Sequence, residues 1–256
     1  MSITDRNIQN VDLHAKVLST DIVKRAKQRG IDAIVYAPHF TRLPEIRKQA
    51  KQYTDEDLLV IPGREIFTGT WENRKHVLGL DLQEPIPDFI TLEGAMKELQ
   101  RQDAAVLVPH PEFFTVGLTA ADCRKYSNVI VGVETYNPKH LTVHNKRAQK
   151  LAVGLPAPRF GSSYAHLPRT VGEVWTELSS PVSSESELIT AIKQEAPRKV
   201  RHQTGKRHRW QSVKEFLHLG WENSWKKFDR MIVSGIEDTH PSHQAYTGKF
   251  DDVSVY

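Results

Sequence analysis

Hydrophobic and polar positions between residues 10 and 196 form short apolar runs separated by amphipathic stretches. The runs are rich in β-branched residues, as in IDAIVYA at 31–37, and predict strands there and at 10–15, 58–67, 76–82, 104–109, 129–136, 157–163 and 171–178. Helical patterns lie between them at 19–29, 91–102, 139–153 and 184–196. Short strands that alternate with helices predict a mainly parallel α/β protein, which is either a barrel or a doubly wound sheet.

The pattern changes after residue 197, so we divide the chain into a first segment, 1–197, and a second, 198–256. The second segment opens with a stretch that has no acidic residue and six basic ones, namely Arg198, Lys199, Arg201, Lys206, Arg207 and Arg209. This stretch predicts a basic loop, which either binds nucleic-acid phosphates or is simply a solvated loop. Apolar residues at helical spacing from Val213 predict a helix that docks on the first segment, and a polar tail follows from Ser234.

Composition narrows the class of protein. The 256 residues are 39% hydrophobic and 26% charged, as in a folded globular chain, and the net charge is +4. Cys123 is the only cysteine, which excludes an intrachain disulfide and a cysteine-based zinc finger. No apolar run approaches the roughly 20 residues that cross a bilayer, and the polar N-terminus does not resemble a signal peptide. We therefore expect a cytoplasmic protein without a membrane partner.

Candidate metal ligands follow several of the predicted strands. Four histidines and a glutamate lie at or just beyond strand ends, namely His14, His39, Glu65, His110 and His166, whereas His76 precedes its strand, as suits a strand of opposite direction or a rim loop. Strand ends converge on one face of a parallel barrel, so we expect one shared pocket. Imidazole and carboxylate ligands without thiolate favour zinc, manganese or iron. Motifs of P-loop, dinucleotide-binding, HExxH and GxSxG sites are absent.

The order of the motifs around these residues resembles that of a known family. VDLH, APH, IPGREI, HVLGL, VPHP, GVETYN and GSSYAH follow one another over roughly residues 10–180 and resemble the PHP (polymerase and histidinol phosphatase) domain. The resemblance implies a distorted (β/α)7 TIM-like barrel with a phosphoesterase site for two or three metal ions. The second segment resembles the helical, PHP-associated C-terminal extension of archaeal members.

The resemblance also implies a set of metal ligands, taken position by position, namely His14, Asp21, His39, Glu65, His76, His110 and His166. Two positions depart from the family pattern. Lys16 replaces the second histidine of the opening pair, and Tyr164 replaces the closing aspartate. Both belong to the first ion site, whereas the ligand sets of the second (Glu65, His76, His110) and third (Asp21, His39, His166) are complete. We therefore expect two divalent ions and one degraded site.

Lys16 decides how the degraded site is interpreted. An ammonium about 4 Å from a divalent ion is opposed by roughly 8 kcal/mol at an effective dielectric constant of about 20, so a filled first site is not expected. Lys16 either replaces the missing cation and holds a phosphate oxygen, or points to solvent after functional drift. Arg169 is a second candidate for phosphate binding, because arginine binds phosphate bidentately. Glu65 and Lys16 are the candidate catalytic residues.

The resemblance implies hydrolysis of a phosphate ester, with a nucleotide or a 5′ nucleic-acid end as the substrate, as in 5′–3′ exonucleases and nucleotide phosphatases of the family. Two alternatives remain open at this stage. One is a non-catalytic PHP-like protein that binds metal or nucleic acid, and the other is an enzyme similar to histidinol phosphatase. The Lys16 and Tyr164 substitutions distinguish a working enzyme, which must tolerate or use them, from a non-catalytic protein.

Overall fold

The computed structural model describes residues 7–203 and 238–256. Within these residues, strands form one mixed sheet in the order β7-β6-β5-β4-β3-β2-β1-β8-β9. The strands are β1 (Ile8–Ala15), β2 (Ala33–Tyr36), β3 (Leu59–Thr68), β4 (Lys75–Leu80), β5 (Ala105–Val108), β6 (Ile130–Tyr136), β7 (Arg159–Gly161), β8 (Val174–Val182) and β9 (Arg198–His202). β1, β2 and β3 are parallel, as are β5, β6 and β7, whereas β4 is antiparallel to both of its neighbours.

Helices connect most of the strands and pack on the faces of the sheet. They are α1 (Thr20–Gln28), α2 (Leu43–Tyr53), α3 (Leu92–Arg101), α4 (Ala120–Lys125), α5 (Thr142–Val153) and α6 (Glu185–Lys193). Side-chain caps fix several helix starts, because a hydroxyl there accepts a backbone N–H that has no partner within the helix. Ser19 caps α1 and Thr91 caps α3 in this way, as their sequence positions predict.

The sheet curves into a nearly closed barrel. β7 and β9 lie at opposite ends of the strand order, yet Gly161 of β7 packs so closely on Val200 of β9 that a Cβ at residue 161 would lie 2.5 Å from Val200 Cγ1. The PHP-type α/β barrel predicted from the sequence is therefore confirmed, in place of an open doubly wound sheet. The reversed direction of β4 also confirms one of the two explanations given for His76, which lies at the start of that strand.

Alternate residues of the central strands pack on opposite faces of the sheet. Leu13, Val35 and Ile61 belong to one buried apolar cluster, which also includes the inward face of α6. Ile34 and Val60, one position away, belong to a second cluster with buried residues of α1 and α2. Both faces of these strands are therefore covered by apolar side chains. Because the strands are parallel, the polar residues that follow them lie together at one end of the barrel.

The start of the basic stretch differs from the loop that was predicted. Arg198–His202 form β9, which pairs with β8, and two of its arginines have partners on the barrel. Arg198 donates to the Val131 carbonyl at 2.7 Å, and Arg201 binds the Glu177 carboxylate through two hydrogen bonds. Lys206, Arg207 and Arg209, and the helix predicted from Val213, lie outside the described residues. Among the described helices, none is long and apolar enough to span a membrane.

Candidate metal and phosphate site

One buried carboxylate, Glu65 in β3, is the centre of the site. Its side chain is fully buried, and imidazole nitrogens approach both of its oxygens. To Glu65 Oε2 the distances are 3.2 Å from His14 Nε2 and 3.2 Å from His39 Nε2. To Oε1 they are 3.1 Å from His76 Nδ1 and 2.9 Å from His110 Nε2. Four of the six histidine and aspartate ligands implied by the family resemblance therefore meet at Glu65.

Each of these side chains reaches Glu65 from a different element. His14 lies near the end of β1, His39 follows β2, His76 begins β4 and His110 follows β5. Because β4 runs opposite to its neighbours, the first residues of β4 lie beside the carboxyl end of β3. The antiparallel strand thus brings a residue that precedes its strand to the end of the barrel where the others follow theirs.

The imidazoles around Glu65 are held in the neutral form. Burial, followed by the charge of Lys16, lowers the pKa of His14 and His39 well below the ordinary value and that of His110 to about 3. Burial and then His110 lower the pKa of His76. Neutral imidazole is the form that binds metal ions, so no proton has to be displaced before an ion can bind.

Lys16 lies inside the site and does not point to solvent. It is buried, its Nζ contacts Glu65 Oε2 directly, and it donates to the Ala37 carbonyl at 3.0 Å. The cation therefore occupies the side of Glu65 on which the family resemblance implies the first metal ion. Tyr164, at the other altered position, has its ring centroid 5.5 Å from Lys16 Nζ and contacts the His14 ring edge to face.

A second buried lysine, Lys139, also lies near the Tyr164 ring. Its Nζ is 4.9 Å from the Tyr164 ring centroid and donates to His166 Nδ1 at 3.1 Å. His166 is thereby held beside Tyr164, whose backbone has a φ of +48°. A non-glycine residue in the left-handed region costs about 1–3 kcal/mol and persists where its surroundings determine it. Two cations and a phenol therefore form one wall of the site.

Buried carboxylates outside the ligand set position the ligands. Arg64 donates to the Glu65 carbonyl at 2.7 Å and to Asp88 Oδ2 at 2.6 Å, and Asp88 also accepts from Thr239. The segment 238–256 is thereby attached to the strand that carries Glu65. Arg64 lies on the opposite face of the strand from Glu65, as its adjacent sequence position predicts.

Glu134 of β6 fixes the backbone of one ligand. Its Oε2 accepts the His110 N–H at 2.7 Å, and its Oε1 accepts the Ser162 hydroxyl at 2.5 Å. Burial raises the pKa of Glu134 to about 7. His110, with a φ of +33°, is thus held by its own backbone in the conformation that directs its ring to Glu65.

Two predicted site residues lie apart from this cluster. Asp21 is exposed in the first turn of α1, and Arg169 is exposed in the short 3-10 turn Pro168–Thr170. The residues that meet at Glu65 thus include the full ligand set of the implied second ion site, one ligand of the first site, His14, and one ligand of the third site, His39. Asp21 as a metal ligand and Arg169 as a phosphate-binding residue remain predictions.

The donor set fits one divalent ion. His39, Glu65 and His76 each offer a ligand atom, and these atoms lie within 4.8 Å of one another. Within the described residues, four buried ring nitrogens have no hydrogen-bond partner, namely His39 Nδ1, His76 Nε2, His14 Nδ1 and His110 Nδ1. Nitrogen and carboxylate ligands in this arrangement suit zinc, manganese or iron. The His14 side of Glu65 does not fit an ion, because the Lys16 ammonium is there.

Sequence reasoning missed Lys139 and Glu134. Both belong to β6 or the loop that follows it, in the segment VETYNPKH. The rule that selected the histidines, a polar side chain just past a strand end, also applies to Lys139 and His140. A lysine carries no metal-ligand signal, however, which is why the rule was not extended to it.

Comparison with known proteins agrees with the fold. A family model described as PHP-associated matches residues 142–197, which lie in the predicted first segment and not in 198–256. An uncharacterised protein of Methanocaldococcus jannaschii is 29% identical over 144 residues, covering 55% of this chain and 79% of that protein.

Two solved structures have a similar fold. One is a two-domain protein of Bacteroides vulgatus containing a predicted PHP-like metal-dependent phosphoesterase, with a TM-score of 0.57, 17% identity, and coverage of 81% of this chain and 69% of that one. The other is a lesion-specific endonuclease of Pyrococcus furiosus, with a TM-score of 0.53, 16% identity, and coverage of 75% and 57%. These comparisons confirm the predicted resemblance to the PHP family.

Proposed function

From the PHP-type fold and the PHP-associated segment, we propose that this chain is a metal-dependent phosphoesterase that hydrolyses a phosphate ester of a nucleotide or of a 5′ nucleic-acid end. The observation that carries the proposal is the buried Glu65 carboxylate with four neutral histidines within 3.2 Å of it. Burying a carboxylate among imidazoles is costly unless a cation compensates the charge. Such an arrangement is typical of a metal centre.

His39, Glu65 and His76 would hold a divalent ion, which activates water and neutralises phosphate charge when bound. In hydrolysis, a water oxygen forms a bond to phosphorus, the ester P–O bond breaks, and the leaving oxygen takes a proton. Lys16 supplies a fixed positive charge beside Glu65, so that a phosphate oxygen can bind where the first ion is lost. Lys139 adds a second cation, 4.9 Å from the centroid of the Tyr164 ring.

Two observations support a nucleotide or nucleic-acid substrate. Lys16 and Lys139 give the pocket a positive wall suited to a phosphate. The Pyrococcus furiosus protein, which is similar in fold, is a lesion-specific endonuclease. Of the basic stretch proposed to bind nucleic acid, Arg198 and Arg201 have protein partners, which weakens the proposal for these two, whereas Lys206, Arg207 and Arg209 lie outside the described residues.

The test measures bound metal and turnover in the same preparation. Protein purified without chelator should contain a divalent metal and hydrolyse bis-(p-nitrophenyl) phosphate or a 5′-phosphorylated oligonucleotide. Glu65→Gln should remove the metal and reduce turnover by at least about 100-fold, since water activation is lost. The matched control is Glu72→Gln, an exposed carboxylate in the loop before β4, which should change neither. Metal-free protein with full activity would refute the proposal.

One observation favours a second candidate, a non-catalytic protein that binds metal or nucleic acid. Lys16 already neutralises Glu65, so the buried charge is compensated without an ion. That candidate predicts metal or oligonucleotide binding with no turnover of any phosphoester. Turnover that disappears on chelation and returns with added zinc or manganese would exclude it.

A further inference from the structure

We infer that a single strand of nucleic acid lies along a track on the α4–α5 face, which begins at the Glu65 site and consists of a stacking platform followed by a basic groove. The platform is formed by Phe113, Phe114, His140 and His144. The groove is lined by Arg124, Arg147 and Lys150. This inference rests on the proposed function, because it names the substrate class and the direction in which the substrate leaves the site.

The platform is continuous with the site through His110. The His110 ring, whose Nε2 is 2.9 Å from Glu65, lies 6.2 Å from the ring of Phe113 and 6.2 Å from that of His140, measured between centroids. Phe113 and His140 stack on each other at 4.0 Å with an angle of 9° between the ring planes. A base bound next to the reacting phosphate would therefore extend this stack from one of its outer faces.

Phe114 extends the platform outward and faces solvent. Its ring lies 4.6 Å from that of Phe113 and 5.0 Å from that of His144, yet 67% of the residue is exposed. Its φ of +44° places a large apolar residue in the left-handed region, which costs about 1–3 kcal/mol. Packing does not explain this conformation, because the side chain is mostly outside the core. Presentation of an aromatic face to a ligand does explain it.

The basic groove begins where the platform ends. His144 and Arg147 are three residues apart on α5, so they share a helix face, and the Arg147 charge contributes, after burial, to lowering the pKa of His144. The groove has a volume of about 410 Å³ and is lined by Arg124, Arg147 and Lys150 above apolar Leu151 and Leu155.

One carboxylate also lines the groove, that of Glu112. Its Oε1 accepts the Ala120 N–H at 2.7 Å, so part of its charge is directed to the start of α4. Three cations against one engaged carboxylate leave the groove positively charged.

Rings followed by cations match the repeating chemistry of a single nucleic-acid strand. Bases stack on aromatic faces for about 1–3 kcal/mol each, and a positively charged groove follows the phosphates. An acidic peptide would use the cations but would have no use for stacked flat rings. Duplex would place its bases inside the helix, away from Phe113 and Phe114. The track therefore fits a single strand better than either.

The test measures binding of a fluorescein-labelled phosphorothioate oligothymidylate of about ten nucleotides, which resists hydrolysis, to the full chain by fluorescence anisotropy. Phe114→Ala should weaken binding about tenfold, and Phe114→Trp should retain it, because stacking is preserved. Arg147→Gln with Lys150→Gln should weaken binding and lower the slope of log affinity against log salt by about 1.4, at about 0.7 for each phosphate contact.

The matched control is Lys48→Gln with Lys51→Gln, which removes the same charge from exposed positions on α2. If both double variants lose affinity equally, or if Phe114→Ala binds as the unmodified chain does, the track is refuted. The outcome is separable from that of the proposed function. Ester hydrolysis by the unmodified chain with track-independent binding would refute only the track. Track-dependent binding without hydrolysis would refute only the enzyme.

Discussion

Replacing Lys16 by methionine tests whether this lysine is a built-in substitute for a metal ion. Lys16→Met keeps the length of the side chain and removes its charge, which leaves the fully buried Glu65 carboxylate without its contacting cation. We expect the metal-free variant to be much less stable than the unmodified chain, and a divalent metal to restore more stability to the variant than it adds to the unmodified chain.

The size of the effect follows from the burial of both groups. Lys16 and Glu65 have side-chain exposures of 4% and 0%, so solvent screens their interaction little. Two unit charges about 4 Å apart at an effective dielectric constant of about 20 interact by roughly 4 kcal/mol. Removal of one partner of a buried pair costs about 3–5 kcal/mol in measured cases, in agreement with that figure. A metal at 100 times its Kd would return about 2.7 kcal/mol.

The assay is urea unfolding with and without zinc or manganese, and Lys139→Met is the matched control. Lys139 is also buried beside Tyr164, and its Nζ lies 3.1 Å from His166 Nδ1, whereas Lys16 Nζ contacts Glu65. A second control, Lys16→Met combined with Glu65→Gln, should recover most of the lost stability, because the uncompensated charge is gone. If Lys16→Met and Lys139→Met lose the same stability and gain the same amount from metal, Lys16 is not a metal substitute.

Three further results are expected. Lys16→His with Tyr164→Asp should raise metal content, measured by plasma emission spectrometry, by one ion per chain, because it restores two implied ligands of the first site. The folded-state pKa of His110, about 3, is below its ordinary value of 6.5, so its contribution to stability is complete above about pH 6.5 and is lost as the pH falls towards 3. Urea titrations should show a loss of about 2 kcal/mol from this residue by about pH 5. His110→Gln should reduce this pH-dependent loss. Asp88→Asn should cost about 3–5 kcal/mol by leaving buried Arg64 uncompensated, which thermal unfolding would detect.

The expectation that polar residues at strand ends share one pocket predicted the centre of the site. This expectation depends on the order and direction of the strands more than on their exact boundaries. His14, His39 and His110 each follow a parallel strand, and an error of two residues in a boundary leaves them at the same end of the barrel. For His76 the sequence left two explanations open, a reversed strand and a rim loop, and the direction of β4 confirms the first. Periodicity and order therefore sufficed for His14, His39 and His110 but not for His76, which the family resemblance supplied.

Contacts between side chains distant in sequence were not predictable in the same way. Nothing in the sequence around Lys139 indicates that its Nζ reaches His166, 27 residues away, or that Arg64 pairs with Asp88. β9 was predicted to be a loop because its basic composition suggests exposure. The arginines there are accommodated by the Val131 carbonyl of β6 and by the Glu177 carboxylate of β8, the strand with which β9 pairs.

Lys16 also makes the positive charge beside Glu65 independent of the concentration of metal around the protein. An exchangeable ion leaves a site when metal is scarce, whereas an ammonium on the chain stays beside Glu65 and can be lost only by deprotonation or mutation. A lysine is weaker as an activator of water, because it carries one charge and offers no open coordination position. We therefore expect Lys16 to bind a phosphate oxygen, and His39, Glu65 and His76 to hold the ion that would activate water. Because His39 Nε2 and Lys16 Nζ both approach Glu65 Oε2, the two tasks would share this carboxylate oxygen, and a change at Lys16 should alter metal binding as well as phosphate binding.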